Sequence, residues 1–255
     1  MKSKLPKNKS FNILKLLVYI LTIGLIILLL LLYLNTKSTV TEGKNWKDTN
    51  NNTESPEDLE IHKPVIYFYN IHAPTTIKIK TNGKITKLIP DFNIKNGWKI
   101  TFKNNKIYLN KKTYNYLFYE LLISKKKLTE PSIVKTQLGI VNQTTLHTDL
   151  LKLFLQIGMT KAEAVDFTEY WQKELNNINS PKILVSLADP YIINNIIKLQ
   201  INPKPAILKR VFFVFTPYKN SSHNKRKSTR MVVPIITKEM RSKKIVIEYG
   251  GFILK

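Results

Sequence analysis

The sequence predicts an α+β domain that is attached to a membrane by a single N-terminal transmembrane helix. Three observations carry this prediction. An uncharged, almost entirely apolar stretch lies near the N-terminus. Alternating apolar and polar residues, which are typical of strands, fill most of the chain after residue 64. A segment with helical apolar spacing interrupts these strands, which gives the strand, helix, strand order of an α+β domain.

The apolar stretch runs from Leu16 to Leu34 and reads LLVYILTIGLIILLLLLYL. As a helix it would be about 28 Å long at roughly 1.5 Å per residue, which is enough to span a lipid bilayer. A cleaved signal peptide is the competing interpretation. Its apolar region is usually shorter, roughly 7 to 15 residues, and small residues of the A-x-A kind follow it. Here YLNTKSTV follows, so we favour an uncleaved anchor in the bilayer.

The charges on either side of the apolar stretch predict its orientation. Residues 1–15 contain only lysines as charged residues, whereas the charges after Leu34 are fewer and mixed in sign. Positively charged flanks stay in the cytoplasm. Residues 1–15 are therefore a cytoplasmic tail, and everything after residue 34 lies outside the cytoplasm at the cell membrane. Residues 35–61 are polar and have no periodicity, which predicts a flexible linker.

A β-rich block is predicted over residues 64–123, at the start of an extracytoplasmic domain that covers 62–255. The block opens with KPVIYFYN, whose apolar residues occupy both faces of a strand, so this strand is expected in the sheet interior. Asn82-Gly83 separates two alternating runs, which predicts a hairpin because both turn residues tolerate positive φ. Lysines alternate with apolar residues through the block and are expected on its solvent face.

A helical hairpin is predicted over residues 144–177. Leucines and aromatics from Leu146 to Ile157 recur on one helix face, and Gly158 suits the position just after a helix. Thr160 and Glu163 form the signature of a capping box for a second helix. Strands then return over residues 182–251, in the segments KILVSL, IKLQI, ILKRVFFVFTPY and KKIVIEYGGFI.

The charge of the chain is strongly positive. Residues 59–255 hold 33 of the 41 basic residues and 12 of the 17 acidic ones, a net charge near +21. An AT-rich genome would explain the preference for Lys over Arg, but it does not explain the shortage of Asp and Glu. The charge is therefore compatible with an anionic partner, such as lipid headgroups, envelope polymers or nucleic acid, and genomic codon bias is the alternative. The chain has no Cys, which excludes thiolate catalysis and disulfide bonds.

Several segments in this order resemble a family of uncharacterised bacterial envelope proteins. That family's domain begins K-P-V-I-Y-L-Y-P and ends V-E-W-G-G. Here KPVIYFYN opens the domain and IVIEYGG lies near its end, with the resemblance covering roughly residues 63–251. The sequence departs from the family at Asn70, which replaces Pro, and at Tyr119 and Tyr249, which replace Trp. The resemblance implies an anchored or secreted envelope protein, but it carries no established activity.

Most catalytic signatures are absent, and the sequence predicts no cofactor and no metal site. The sharpest enzymatic hypothesis uses Glu120 and Glu248, each beside an aromatic residue in an apolar strand. Two such carboxylates across one cleft could hydrolyse an envelope glycan as acid and as base or nucleophile. The competing interpretation is structural, with Arg210 as the partner of a buried carboxylate.

A second candidate site is the basic segment HNKRKSTR, which could bind anions. Its candidate anion-binding residues are His223, Lys225, Arg226, Lys227 and Arg230. A solvated loop without a partner is the alternative. Together, these observations favour a non-enzymatic envelope binding or scaffolding module, which touches anionic polymers, lipid headgroups or a partner protein. A glycan hydrolase and a binder of extracellular nucleic acid are the alternatives.

Overall fold

The computed structural model describes residues 58–92, 96–104, 106–124, 133–218 and 234–254. The predicted transmembrane helix at 16–34, the tail before it and most of the linker lie outside these ranges. Within the ranges, no helix combines the length and the apolar character needed to cross a bilayer.

The described chain contains twelve strands, four α-helices and one 3-10 helix (Gln143–Thr145). The strands are β1 (Asp58–Tyr69), β2 (Thr75–Thr81), β3 (Lys84–Ile89), β4 (Trp98–Lys103), β5 (Lys106–Leu109), β6 (Lys112–Tyr114), β7 (Leu117–Ser124), β8 (Val134–Asn142), β9 (Lys182–Ala188), β10 (Ile197–Asn202), β11 (Ile207–Pro217) and β12 (Ile245–Ile253). The helices are α1 (Leu146–Gln156), α2 (Lys161–Leu175), α3 (Pro190–Ile196) and α4 (Lys238–Arg241).

The strands form two sheets. Seven strands lie in the order β3-β7-β1-β12-β11-β9-β8, and five lie in the order β10-β2-β4-β5-β6. Neighbouring strands are antiparallel except for β11 and β12, which are parallel. Strands from both the early β-block and the later part of the chain share the seven-stranded sheet. The prediction of an α+β fold for this part of the chain is confirmed.

The seven-stranded sheet is the middle of three layers. Alternate residues of β11 show this, because Phe213 and Phe215 pack against the helical hairpin while Phe212 and Val214 pack against the five-stranded sheet. Side chains of a strand point alternately to its two faces, so each strand of this sheet contributes to two apolar cores. The almost unbroken apolar runs in β1, β11 and β12 follow from this double burial.

Strand β1 begins earlier than the sequence predicted. Leu59 and Ile61, which the prediction assigned to the flexible linker, are buried in the core next to β7. A bulge then follows, with Lys63 at a φ of +46° and a break in the pairing with both neighbours. Pro64 lies at this bulge, where a missing backbone donor does not interrupt a regular ladder.

The predicted Asn82-Gly83 hairpin is wrong. β2 pairs with β10 and β4, whereas β3 pairs with β7, so the turn connects the two sheets instead of two paired strands. Gly83 is required for a different reason, since a Cβ there would lie 2.4 Å from the carbonyl oxygen of Leu122. The glycine allows the chain to pass close to β7 as it changes sheets.

The helical hairpin forms as predicted. Thr160 and Glu163 make the reciprocal capping box at the start of α2. Gly158 follows α1 with a φ of +99°, and a Cβ there would lie 1.9 Å from the carbonyl oxygen of Ile236. Helix α3 was not predicted, although Asp189 caps it and Pro190 occupies its first turn, which is a recognisable start signal.

Candidate functional site

Glu248 and Arg210 form an ion pair between the two sheets. The parallel register of β11 and β12 places Arg210 directly opposite Glu248. Glu248 is fully buried and accepts hydrogen bonds from Nε of Arg210 and, at 2.5 Å, from the hydroxyl of Tyr119. Burial, the largest single influence, acts to lower the pKa of Arg210, but Glu248 and Tyr119 together outweigh it and raise that pKa. This contact is the structural pairing that the sequence offered as the alternative to catalysis.

Glu120 lies on the opposite face of the same sheet. It follows Tyr119 in β7, so the two side chains point in opposite directions. Its Oε1 accepts a hydrogen bond at 2.9 Å from the hydroxyl of Tyr170 on α2. The sheet therefore separates Glu120 from Glu248. The hypothesis of a carboxylate pair required both groups in one open cleft, and the structure does not bring them together.

The three buried carboxylates of the described chain share one arrangement, in which a tyrosine hydroxyl donates to the carboxylate and a cation lies nearby. The carboxylate of Glu163 accepts a hydrogen bond from the hydroxyl of Tyr69, and its Oε2 lies 2.5 Å from Nη2 of Arg241. Glu248 has Tyr119 and Arg210 in these roles. Glu120 has Tyr170, with Nζ of Lys87 at 4.0 Å. We call these arrangements Tyr–Glu–cation clusters. Buried carboxylates that are satisfied in this way stabilise a fold and leave little freedom for proton transfer.

Lys63 and Asp166 form a further pair where β1 packs on α2. Nζ of Lys63 lies 2.8 Å from Oδ2 of Asp166 and also donates to the backbone carbonyl of that residue. Burial lowers the pKa of Lys63, although Asp166 acts in the opposite direction. Burial, together with Asp166, raises the pKa of the nearby Tyr116 to about 12. The pair fixes the bulge in β1 against the helix.

The outer face of the five-stranded sheet carries a different kind of surface. Its inward residues, such as Ile77, Trp98 and Ile107, are buried against the seven-stranded sheet. The outward residues include six exposed lysines, which we call the lysine face. They are Lys78, Lys80, Lys99, Lys103, Lys106 and Lys198.

No Asp or Glu occurs in any of the five strands of this sheet. Lys80 is directly opposite Lys198, and Lys103 is directly opposite Lys106. Among the residues that the structure describes, no ion pair neutralises any member of the lysine face. Like charges at directly opposite positions cost stability, so the lysine face is a surface with uncompensated positive charge.

The repulsion across this face predicts that Lys80→Glu stabilises the domain. The new carboxylate would face Lys198 and replace a like-charge pair by an ion pair, which we expect to raise the free energy of unfolding by about 0.5 kcal/mol. Urea denaturation of a fragment of residues 54–255 at low ionic strength measures this. Lys78→Glu is the matched control, because Lys78 is opposite the uncharged Gln200. Equal gains from both variants would show that the cross-strand pairing has no effect.

The sequence predicted lysines on the solvent face of the β-block, and the structure shows them there. It missed Lys198, because β10 lies about 100 residues further along the chain and only the sheet pairing brings it next to β2. The anion-binding residues that the sequence predicted in the segment HNKRKSTR lie outside the described ranges. These are His223, Lys225, Arg226, Lys227 and Arg230.

The fold and the site thus define an α+β domain with a lysine-rich sheet face. No protein-family model matches the chain, and no solved structure matches it. A protein of Butyrivibrio fibrisolvens named "Uncharacterized protein in bglA 3′region" is 43% identical to it over 61 residues. This match covers 23% of the chain and 64% of that protein, so the likeness extends over one segment. The resemblance to the envelope family stays a prediction.

Proposed function

We propose that this chain is a single-pass membrane protein that holds a basic, non-enzymatic binding module outside the cytoplasm. In this proposal, the lysine face contacts the anionic polymers or lipid headgroups of the cell envelope. The observation that carries the proposal is the composition of that face, which has six exposed lysines on a sheet without acidic residues. An array of unneutralised cations on a rigid sheet attracts polyanions and holds its charges at fixed spacing.

The proposed anchor supports contact with the envelope. Leu16–Leu34 would span the bilayer, and the residues between Leu34 and β1 would connect it to the domain. As a coil, these 23 residues give an average reach of roughly 27 Å, with about 5 to 6 Å multiplied by the square root of their number. The domain would therefore stay close to the membrane surface and the polymers attached to it.

Reversing charges on the lysine face should abolish most of this binding. In the variant Lys80→Glu/Lys99→Glu/Lys103→Glu, three cations that would approach an anionic surface are removed. Each such lysine contributes about 1 kcal/mol, so affinity should fall by roughly a hundredfold. The measurement is co-sedimentation of the full chain, in detergent, with purified envelope of the source cell across a series of salt concentrations.

The matched control is Lys152→Glu/Lys161→Glu/Lys173→Glu. These lysines are exposed on the helical hairpin, on the other side of the domain, and the net charge changes equally. Unchanged binding by this control, and loss of wild-type binding after the anionic polymers are stripped, are the expected results. Equal losses from both triple variants would mean that only net charge matters. Preferential binding of added DNA over envelope would favour the nucleic-acid alternative instead.

A further inference from the structure

A cleft interrupts the seven-stranded sheet where β9 and β11 separate. The last pair between these strands is Leu187 with Phe213, and β9 then ends at Ala188 and leads into α3. Within the described chain, the six preceding residues of β11, 207–212, therefore pair only with β12. One edge of this half of β11 therefore has no neighbouring strand among the described residues. The cleft beside it has a volume of about 470 Å³, which is within the usual range of binding sites.

The opposite wall of the cleft comes from the next strand. β8 pairs with β9 through Thr136 and Val134, which lie opposite Leu187 and Ala188. Lys135 and Thr136 of β8 line the cleft together with residues 208–212 of β11. β8 therefore bounds the cleft at its end next to β9.

The side chains around the cleft are basic and apolar. Lys135, Lys209 and Arg210 line it, and no acidic residue of the described ranges does so. The side chain of Arg210 is only 5% exposed, and its Nη2 has no hydrogen-bond partner among the described residues, although Nε and Nη1 are bonded. Leu208 is 39% exposed, so its apolar side chain is available to contact a ligand. These groups suit a ligand with both carboxylates and apolar side chains.

We propose that the cleft binds an extended acidic peptide segment as an added strand beside residues 207–212. Backbone groups on the open edge of β11 would bond the peptide, as in other cases of strand addition. Carboxylates on one face of the peptide would meet Lys135 and Lys209, and apolar side chains on its other face would cover Leu208 beside Arg210. This site is separate from the lysine face, and it does not depend on the function proposed for that face.

The test uses fluorescently labelled peptides of eight residues and fluorescence anisotropy with the full chain in detergent at low and moderate salt. One peptide alternates Val and Glu, a second alternates Val and Lys, and a third is the Val–Glu peptide with alternate amides N-methylated. The Val–Glu peptide should bind at least tenfold more tightly than either of the others. N-methylation removes donors for the ladder and keeps the charge, so it separates strand addition from simple anion binding.

Protein variants locate the site. Lys135→Glu and Lys209→Glu should each weaken binding of the Val–Glu peptide at least tenfold, whereas Lys99→Glu on the lysine face should leave this binding unchanged. Lys135 is exposed and Lys209 is only half-buried, so the fold should persist. Because the chain has no Cys, Thr136→Cys introduces a unique thiol, which should form a disulfide with a cysteine-containing Val–Glu peptide.

Three results would overturn the proposal. Equal binding of the N-methylated peptide would show that no strand is added. An equal loss from Lys99→Glu would place the peptide on the lysine face. Competition by free glutamate at the concentration that displaces the peptide would show that the cleft takes a small anion only. If the Val–Glu peptide binds as expected and the envelope does not, the function proposed for the lysine face fails by itself.

Discussion

Arg210→Met should destabilise the domain by about 3 to 5 kcal/mol, a large fraction of the total stability of a domain. Glu248 is fully buried, and the substitution would leave its carboxylate with Tyr119 as its remaining hydrogen-bond donor among the described side chains. Met keeps much of the apolar stem of Arg210. The loss in the free energy of unfolding is therefore caused mainly by the missing cation and only to a small extent by a cavity. Urea denaturation of residues 54–255 at neutral pH gives the free energy of unfolding.

Two further variants separate the buried charge from other causes. Lys209→Met removes a neighbouring cation that is only half-buried, and we expect it to change stability by less than about 0.5 kcal/mol. Arg210→Met/Glu248→Leu/Tyr119→Phe removes all three members of the cluster, so it should recover most of the stability lost in Arg210→Met. A triple variant as unstable as the single one would show that the cluster contributes through shape and not through charge.

Patterns local in sequence predicted the elements that they encode. The helical hairpin follows from apolar spacing, a capping box and Gly158, all of which act within a few residues. The burial of β1 on both faces was also readable, because Val65 to Tyr69 offer no polar face. Such features depend on nearest neighbours along the chain, and distant contacts strengthen them instead of replacing them.

Pairing between distant strands could not be read from local patterns. Asn82-Gly83 is compatible with a hairpin and with a crossing between sheets, and only the partners of β2 and β3 decide between them. The same limit applies to the candidate site. The sequence singled out Glu120 and Glu248, yet the face on which each lies depends on strand parity and sheet order. Glu163 was read as a capping residue, and its contact with Arg241 spans 78 positions.

The second large effect concerns alkaline pH, where we expect the domain to unfold cooperatively near pH 11. Burial, the largest cause in each case, raises the pKa values of six tyrosines, with nearby carboxylates acting in the same direction. These are Tyr67, Tyr69, Tyr116, Tyr119, Tyr170 and Tyr249. Four of them, Tyr69, Tyr119, Tyr170 and Tyr249, donate to the buried carboxylates of the Tyr–Glu–cation clusters. A tyrosinate in such a position would repel its own acceptor.

The direction of the effect follows from proton linkage. Tyrosines of the unfolded chain lose their protons near pH 10, whereas the folded chain retains them. Their contribution to stability is therefore complete below pH 10 and is lost as the pH rises toward the higher pKa values of the folded state. Above pH 10, each tyrosine lowers the free energy of unfolding by about 1.4 kcal/mol per pH unit, so the six together lower it by at most roughly 8 kcal/mol per pH unit. This is comparable to the whole stability of a typical domain.

The transition would be measured on residues 54–255 by tyrosinate absorption and far-ultraviolet circular dichroism, followed together from about pH 9 to about pH 12. We expect its midpoint about 1 pH unit above the tyrosine pKa of an unfolded chain. The absorption change that comes from the six buried tyrosines should coincide with the loss of dichroism, because these tyrosines ionise when the sheet opens. Tyr67→Phe should reduce the pH dependence of the free energy of unfolding by about one proton. This variant removes no side-chain hydrogen bond with a described residue, because Tyr67 makes none. Tyr191→Phe, at a side chain that is 73% exposed, should leave the slope unchanged. An absorption change that accounts for the six buried tyrosines while the dichroism stays constant would mean that these hydroxyls ionise within the folded domain, and that the clusters do not contribute to its stability as we infer.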